Sequence, residues 1–267
     1  MVVFPNGKIN LGLHVTRKRA DGYHDLETVF YPILVKDVLE IIQGDVVKFT
    51  LSGLPVAGTV NDNLCLKAYY LLKIDFPELP PVNIHLHKVI PMGAGLGGGS
   101  ADGGFTLALL SQKFKLNLSK EQLFNYALQL GSDCPFFILN KPCYAEGRGE
   151  ILELLDVDLS AYKFVLVHPG IHVSTALAFS KLKPAESSSS IQQIITQPIE
   201  TWKEQLINDF EEPVFDMFPE IKEIKVGLYR AGALYASMSG SGSCVYGIFK
   251  DEEITLPTFP LHYSIHA

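Results

Sequence analysis

Pro91-Met92-Gly93-Ala94-Gly95-Leu96-Gly97-Gly98-Gly99-Ser100-Ala101-Asp102 is the stretch from which the rest of the 267-residue chain can be read. Five of these twelve residues are glycine. Ordering that many glycines is entropically costly, so the density points to left-handed dihedrals or to a ligand that approaches the backbone closely. Upstream, Val82, Ile84, Leu86 and Val89 alternate as in a strand, and downstream residues 101–110 have helical spacing. A glycine loop that leaves a strand and opens a helix offers free N–H groups and a positive helix end to an anion. The triphosphate of a nucleotide suits such a site.

Gly93, Gly95 and Gly98 satisfy GxGxxG, a pattern shared by dinucleotide-binding folds and protein kinases and weak by itself. A dinucleotide fold wants the loop in the first βα turn and an acid about 20 residues later at a strand end; here Glu121 falls inside an expected helix. The chain has no HRD or DFG triplet and no GxxxxGK[ST] loop, which excludes a protein kinase and a P-loop NTPase.

Working outward, residues 9–15 and 37–49 read as strands separated by the turn-forming Ala20-Asp21-Gly22-Tyr23. Leu64, Ala68, Leu71 and Leu72 place a helix over 63–72, and Ser119 with Gln122 supplies a capping box for a helix over 119–130. A second β-rich start comes at 162–168. Helices follow at 202–209 and 218–231 and strands at 234–238 and 244–249, with Ser187–Ser190 read as a flexible surface loop. The fold class is α+β, with the domain boundary near residue 150: one domain over 1–150 and a smaller one over 151–267.

A net charge of -7 gives no positive field for a polyanion, so no nucleic-acid partner is expected and an anionic ligand must be held locally. Cys65, Cys134, Cys143 and Cys244 lack the spacing of a zinc or redox centre. Pro5, Asn6 and Lys8 interrupt any signal-peptide hydrophobic run, and no apolar stretch is long enough for a membrane span, so the expectation is a cytoplasmic protein without a membrane partner.

The glycine loop, residues 91–100, resembles the second motif of the GHMP kinases residue for residue. Lys8-Ile9-Asn10-Leu11 resembles their first motif, and Met238-Ser239-Gly240-Ser241-Gly242-Ser243 their third. Pro5 departs from the family pattern by standing one residue further from Lys8 than in the usual Pro-Ala-Lys. Arg19-Ala20-Asp21-Gly22-Tyr23-His24-Asp25-Leu26-Glu27-Thr28 and Gly131-Ser132-Asp133-Cys134-Pro135-Phe136-Phe137 resemble one branch of the superfamily, which phosphorylates the 2-hydroxyl of a cytidine-diphosphate-linked methylerythritol in the non-mevalonate isoprenoid route. Two competitors are a GHMP kinase for a simpler alcohol such as mevalonate or homoserine, against which the Asp21-Gly22-Tyr23-His24 stretch speaks, and a nucleotide-binding regulator without catalysis, against which Lys8 and Asp133 speak.

The resemblance implies a two-domain GHMP kinase fold with the active site in the cleft between an ATP-binding and a substrate-side domain, and ATP and Mg²⁺ as cofactors. Catalysis would fall to Lys8 and Asp133, Asp133 taking the hydroxyl proton while Lys8 pairs with it and keeps it ionised. ATP would be held by Lys88, Asn63 and the loop Pro91, Met92, Gly93, Ala94, Gly95, Leu96, Gly97, Gly98, Gly99 and Ser100, with the Ser100 hydroxyl available to Mg²⁺. Asn10, Tyr23, His24, Thr175 and Phe179 would bind the substrate, Tyr23 and Phe179 sandwiching the cytosine while His24 reads its edge. Ser239, Gly240, Ser241 and Gly242 would form the third-motif loop. Taken singly, Lys8 reads as a surface lysine, Asp133 as a turn cap and His24 as a loop histidine. Cys134 reads as a small buried filler beside Pro135.

Overall fold

The computed structural model describes residues 1–56, 58–182, 190–250 and 254–267. Strands β1 (Val2–Val3), β2 (Asn6–Lys18), β3 (His24–Lys36), β4 (Val38–Gln43) and β5 (Lys48–Gly53) come first, then helix α1 (Leu64–Asp75) and strand β6 (Val82–Lys88). Helices α2 (Gly98–Lys113), α3 (Lys120–Leu130) and α4 (Cys134–Leu139) precede strands β7 (Cys143–Glu146), β8 (Ile151–Leu154) and β9 (Tyr162–His168). The chain ends with helices α5 (Thr175–Lys181), α6 (Ile191–Ile195), α7 (Glu211–Met217) and α8 (Pro219–Arg230) and strands β10 (Tyr235–Met238), β11 (Val245–Lys250) and β12 (Ser264–His266).

Two units emerge from the contacts. The first comprises Met1–Lys8, Pro32–Met92 and Gly97–Lys141; the second Ile9–Tyr31, Gly93–Leu96 and Pro142–Ala267. Both are discontinuous, whereas the sequence reading cut the chain once at 150. The crossings fall inside β2, between Lys8 and Ile9, inside β3, between Tyr31 and Pro32, on either side of the tip of the glycine loop, and between Lys141 and Pro142.

In the first unit the strands run β1-β4-β6-β5, with β4 and β6 antiparallel and β5 and β6 parallel. Strand β6 is built by alternation: Val82, Ile84 and Leu86 are buried, whereas the next-door Asn83 and His85 are not. These residues, with Leu39 and Ile41 of β4, share a core with Leu72 of α1 and Leu107 and Leu110 of α2. Each such side chain contributes about 1.5–3 kcal/mol by leaving water. Asn63 caps α1 by accepting from Cys65 N at 2.9 Å, and the Ser119–Gln122 capping box opens α3 as the sequence implies.

In the second unit the strand orders are β10-β11-β9-β12 and β2-β3-β7-β8. Val165 and Val167 of β9 and Val245 of β11 pack with Ile221, Ile224 and Leu228 of α8, and Leu13 and Val15 of β2 join the same core. The expected helix over 202–209 is instead a 3-10 turn at Ile199–Glu204. Its continuation is taken by β2: Leu13 N donates to Ile207 O at 2.8 Å and Asp209 N to Leu13 O at 2.9 Å, so a tertiary pairing overrides local helical preference. Apart from Ser190, which stands at the N-cap position of α6 without a side-chain capping bond, the serine run at 187–190 lies outside the described residues.

Candidate active site

In the first unit, Lys8 and Asp133, far apart in sequence, form an ion pair with Nζ to Oδ2 at 3.6 Å. Lys8 sits in β2 with its side chain 5% exposed; that of Asp133 is 32% exposed. Asp133 occupies the N-cap position of α4, yet its side chain makes no capping bond, so the carboxylate is not spent on the helix. Burial lowers the Lys8 ammonium below its ordinary value, against the opposing pull of Asp133. The neighbouring Cys134 thiol, which bonds Ser100, is pushed up to about 12, chiefly by burial, and is no nucleophile.

Gly97 precedes α2 in the left-handed conformation, φ 67°, and a Cβ there would stand 3.1 Å from Lys8 Cγ and from Phe137 Cζ. Glycine therefore lets the lysine stem lie directly under the loop. Helix α2 begins at Gly98 with no acidic residue in its first turn, and Gly98, Gly99 and Ser100 are N-terminal positions whose N–H groups have no intrahelical acceptor. That end suits an anion. Beside it, Asn63, Val56, Leu64, Met92, Gly99 and Asp102 help to line a recess open to solvent. Ala94 and Leu96 are each 1% exposed, so these loop residues present backbone rather than side chain.

Lys88 differs from its expected part as a nucleotide contact. Its side chain is fully buried and its ammonium bonds two carboxylates, Asp37 Oδ2 and, at 2.7 Å, Asp102 Oδ2. Asp37 Oδ1 in turn accepts from Val89 N at 2.6 Å and Ile90 N at 2.9 Å, the backbone that leads into the glycine loop. Burial alone would lower Lys88, but Asp102 and Asp37 hold it above the ordinary lysine value. Burial pushes Asp102 up to about 7, against the pull of Lys88 and with Asp37 adding to the rise. Neither acid was visible as part of the site in the sequence, because they lie 51 and 14 residues from Lys88.

In the second unit the third-motif loop gathers several of the expected residues. Ser239 Oγ donates to Gly95 O at 2.8 Å and accepts from Asn10 N at 3.3 Å, and Cys244 N donates to Ala94 O at 3.2 Å. Gly95, at φ 78°, admits this contact because it lacks a side chain: a Cβ would fall 1.8 Å from Ser239 O. Ser241 and Thr175 hydroxyls meet at 3.2 Å. The Asn10 amide donates to Thr28 Oγ1 at 3.0 Å.

The aromatic trio departs from the expected sandwich. Phe179 stacks on His24 itself, centroids 4.6 Å apart and planes at 18°, and meets Phe210 edge-on at 4.8 Å. Tyr23 is 57% exposed with the Arg148 guanidinium 5.1 Å above its ring. Burial, followed by nearby Lys18, lowers the His24 pKa, so its imidazole is neutral at pH 7.

Among the described residues no three His, Cys, Asp or Glu converge as a metal site, and no helix is long and apolar enough to cross a membrane.

The GHMP kinases N terminal domain family matches residues 63–141 and the GHMP kinases C terminal family matches 190–254. The glycine loop with its helix and the late serine–glycine loop thus fall to the class of GHMP kinases. A 4-diphosphocytidyl-2-C-methyl-D-erythritol kinase of Azobacteroides pseudotrichonymphae genomovar. CFP2 is 52% identical over 100% of this chain and 99% of its own. One of Bacteroides fragilis (strain ATCC 25285) is 54% identical over 95% of this chain and 93% of its own. A crystal structure of 4-(cytidine 5'-diphospho)-2C-methyl-D-erythritol kinase superposes with a TM-score of 0.79 at 33% identity, covering 93% of this chain and 90% of that one. The Methanococcus jannaschii mevalonate kinase shares the fold, with a TM-score of 0.70 at 17% identity over 94% of this chain and 91% of its own. The chain belongs to the 4-diphosphocytidyl-2-C-methyl-D-erythritol kinase family.

Proposed function

We infer that the chain transfers the γ-phosphoryl group of ATP to the 2-hydroxyl of 4-diphosphocytidyl-2-C-methyl-D-erythritol, giving the 2-phosphate and ADP in the methylerythritol phosphate route to isoprenoid precursors. The observation that carries the chemistry is the Lys8–Asp133 pair, with its carboxylate free of capping duty and part-exposed. Family membership carries the substrate.

As the hydroxyl oxygen bonds to the γ-phosphorus, its proton passes to an Asp133 oxygen and the bond to the ADP oxygen breaks. General-base assistance of this kind is worth roughly 10²- to 10⁴-fold. Lys8, an ammonium already weakened by burial, sits against Asp133 and offsets charge at the transferring group. The free N–H groups at Gly98, Gly99 and Ser100 hold the β- and γ-phosphates, and the recess lined by Asn63 and Met92 takes the base. Lys88 supports this region from beneath rather than touching the nucleotide.

The oxygen donors fit Mg²⁺ carried in by the triphosphate rather than held in a protein cage: Ser100 would bring a hydroxyl at the start of α2, and of the Asp102 carboxylate Oδ2 is taken by Lys88 while Oδ1 has no hydrogen-bond partner among the described residues. Such an ion would neutralise charge on the phosphate oxygens. Substrate binding falls to Asn10, Tyr23, His24, Thr175 and Phe179, with the loop Ser239–Gly242 shaping the tip of the glycine loop through Gly95. For cytosine to stack on Phe179, the His24 ring must leave that face, after which its neutral ring nitrogens are available to the base edge.

ADP release with the cytidyl alcohol, mevalonate and homoserine as acceptors tests the reading. Turnover confined to the cytidyl alcohol is expected, and turnover of either simpler alcohol at a comparable kcat/KM would refute it.

A further inference from the structure

Four consecutive residues outside all three motifs, Asn208-Asp209-Phe210-Glu211, all bind to the second unit, the outer two to the strand and loop around Met238 and the inner two to β2 and α5. The Asn208 amide, 1% exposed, donates both its hydrogens to main-chain carbonyls: Met238 O at 2.7 Å and Gly240 O at 2.9 Å. Those carbonyls lie on either side of Ser239. Asp209 accepts from Val15 N at 2.8 Å and pairs with His14 Nδ1 at 3.0 Å, which ties the segment to β2. Phe210 meets the Phe179 ring edge-on. Glu211 Oε1 accepts from Met238 N at 2.8 Å and Ser237 Oγ at 3.0 Å, while Lys225 holds its other oxygen at 2.6 Å.

The residue types match these tasks. Two carbonyls can be bridged only by a group with two donors, which the Asn208 amide has and a carboxylate lacks. Ser237 Oγ and Met238 N each offer a hydrogen, which the Glu211 carboxylate accepts. With the carbonyls before and after it fixed, Ser239 has its hydroxyl aimed at Gly95 O, while Asn10 N donates to that hydroxyl.

We propose that residues 208–211 are the positioning element of the third-motif loop: Asn208 sets Ser239, and through it the tip of the glycine loop, while Phe210 braces Phe179 for the substrate base. The proposal rests on the kinase reading above, in which that loop shapes the phosphate site and Phe179 faces the cytidyl group. It divides the labour along the segment. Asn208 governs the phosphoryl step, and Phe210 governs substrate affinity.

The test uses Asn208→Asp, near-isosteric but without the two donors, and Phe210→Leu, with steady-state kinetics and amide hydrogen exchange on the full chain. Asn208→Asp is expected to speed exchange across residues 238–244 and lower kcat about 2- to 12-fold, the equivalent of one net hydrogen bond, with KM for the cytidyl alcohol little changed. Phe210→Leu is expected to raise that KM about 2- to 10-fold, the worth of an aromatic pair, with kcat and KM for ATP unchanged. Unchanged exchange over 238–244 in folded Asn208→Asp would overturn the proposal. So would kinetic losses in either variant that merely track the fraction of unfolded chain. The exchange result stands whether or not the wild-type chain turns over the cytidyl alcohol, so failure of the kinase reading is seen separately.

Discussion

Replacing Lys88 by Met removes the only cation bonded to Asp37 and Asp102 among the described residues and keeps nearly the same volume. Lys88 and Asp37 have side chains 0% exposed and Asp102 4%, so water does not take over the lost bonds. Two charge-assisted hydrogen bonds disappear, each worth about 1.5–3 kcal/mol. Asp102, already raised to about 7 with Lys88 present, will be protonated at neutral pH once the ammonium is gone, and this limits the penalty of two facing carboxylates. The net cost is then about 3–5 kcal/mol, the range for breaking a buried pair from one side. At about 2–4 °C per kcal/mol, the thermal midpoint should fall by about 6–20 °C. Calorimetry on wild type, Lys88→Met and Lys88→Met/Asp102→Asn measures it, and the double variant should recover part of the loss. At a temperature where Lys88→Met is folded, KM for ATP should stay within a few-fold of wild type. A midpoint within about 2 °C of wild type together with a tenfold rise in KM for ATP would return Lys88 to the nucleotide and refute the internal clamp.

Asp133→Asn should lower kcat about 10²- to 10⁴-fold with ATP affinity nearly unchanged, and near-normal single-turnover rates would remove Asp133 from the chemistry. His24→Ala should raise KM for the cytidyl alcohol and narrow its preference over a uridyl analogue without affecting KM for ATP; because the change also frees the face of Phe179, the rise should be about fivefold, at the low end of an unpaired hydrogen bond, and an equal rise for ATP would contradict the assignment. Asp102→Asn tests proton linkage: the folded carboxyl sits near 7 and an unfolded one near 3.9, so the stability it contributes is present at pH 4 and lost as pH rises through 7. Urea unfolding at pH 5 and pH 8 should therefore show a smaller fall for the variant, and parallel falls would sink the idea. Gly95→Ala adds a left-handed penalty of about 1–2 kcal/mol to a direct clash with Ser239 O, so its thermal midpoint should drop by at least about 2 °C.

What the sequence made legible was the local chemistry. The loop with its helix, the Ser119 capping box and the strand at Tyr162–His168 depend on neighbours a few residues away, and periodicity and capping preference report those directly. The Lys8–Asp133 pair was legible only through family motifs, since nothing in spacing joins residues that distant. Lys88 was misread for the same reason. A lysine ahead of a glycine loop looks like a phosphate ligand until Asp37 and Asp102 are placed beside it. Residues 202–209 read as helix because their pairing partner, Leu13, is nearly 200 positions away. A single cut near 150 falls short of the division the contacts make, where the last stretch begins at Pro142, and nothing in the sequence signals the contacts that put Ile9–Tyr31 and Gly93–Leu96 with it.

That interleaving sets a timetable for the newborn chain. Leu13 and Val15 leave the ribosome early, yet the core that buries them needs Val165, Val167 and, later still, Val245. At about 5–20 residues per second, some 150 residues of further synthesis leave these apolar side chains waiting about 8–30 s for Val165. Thr28, Val29 and Phe30 wait almost as long for Cys143, Tyr144 and Ala145. A ribosome stall before residue 143 therefore strands an apolar β2–β3 ribbon without its third strand, and it is there that a chaperone's grip on the nascent chain matters most.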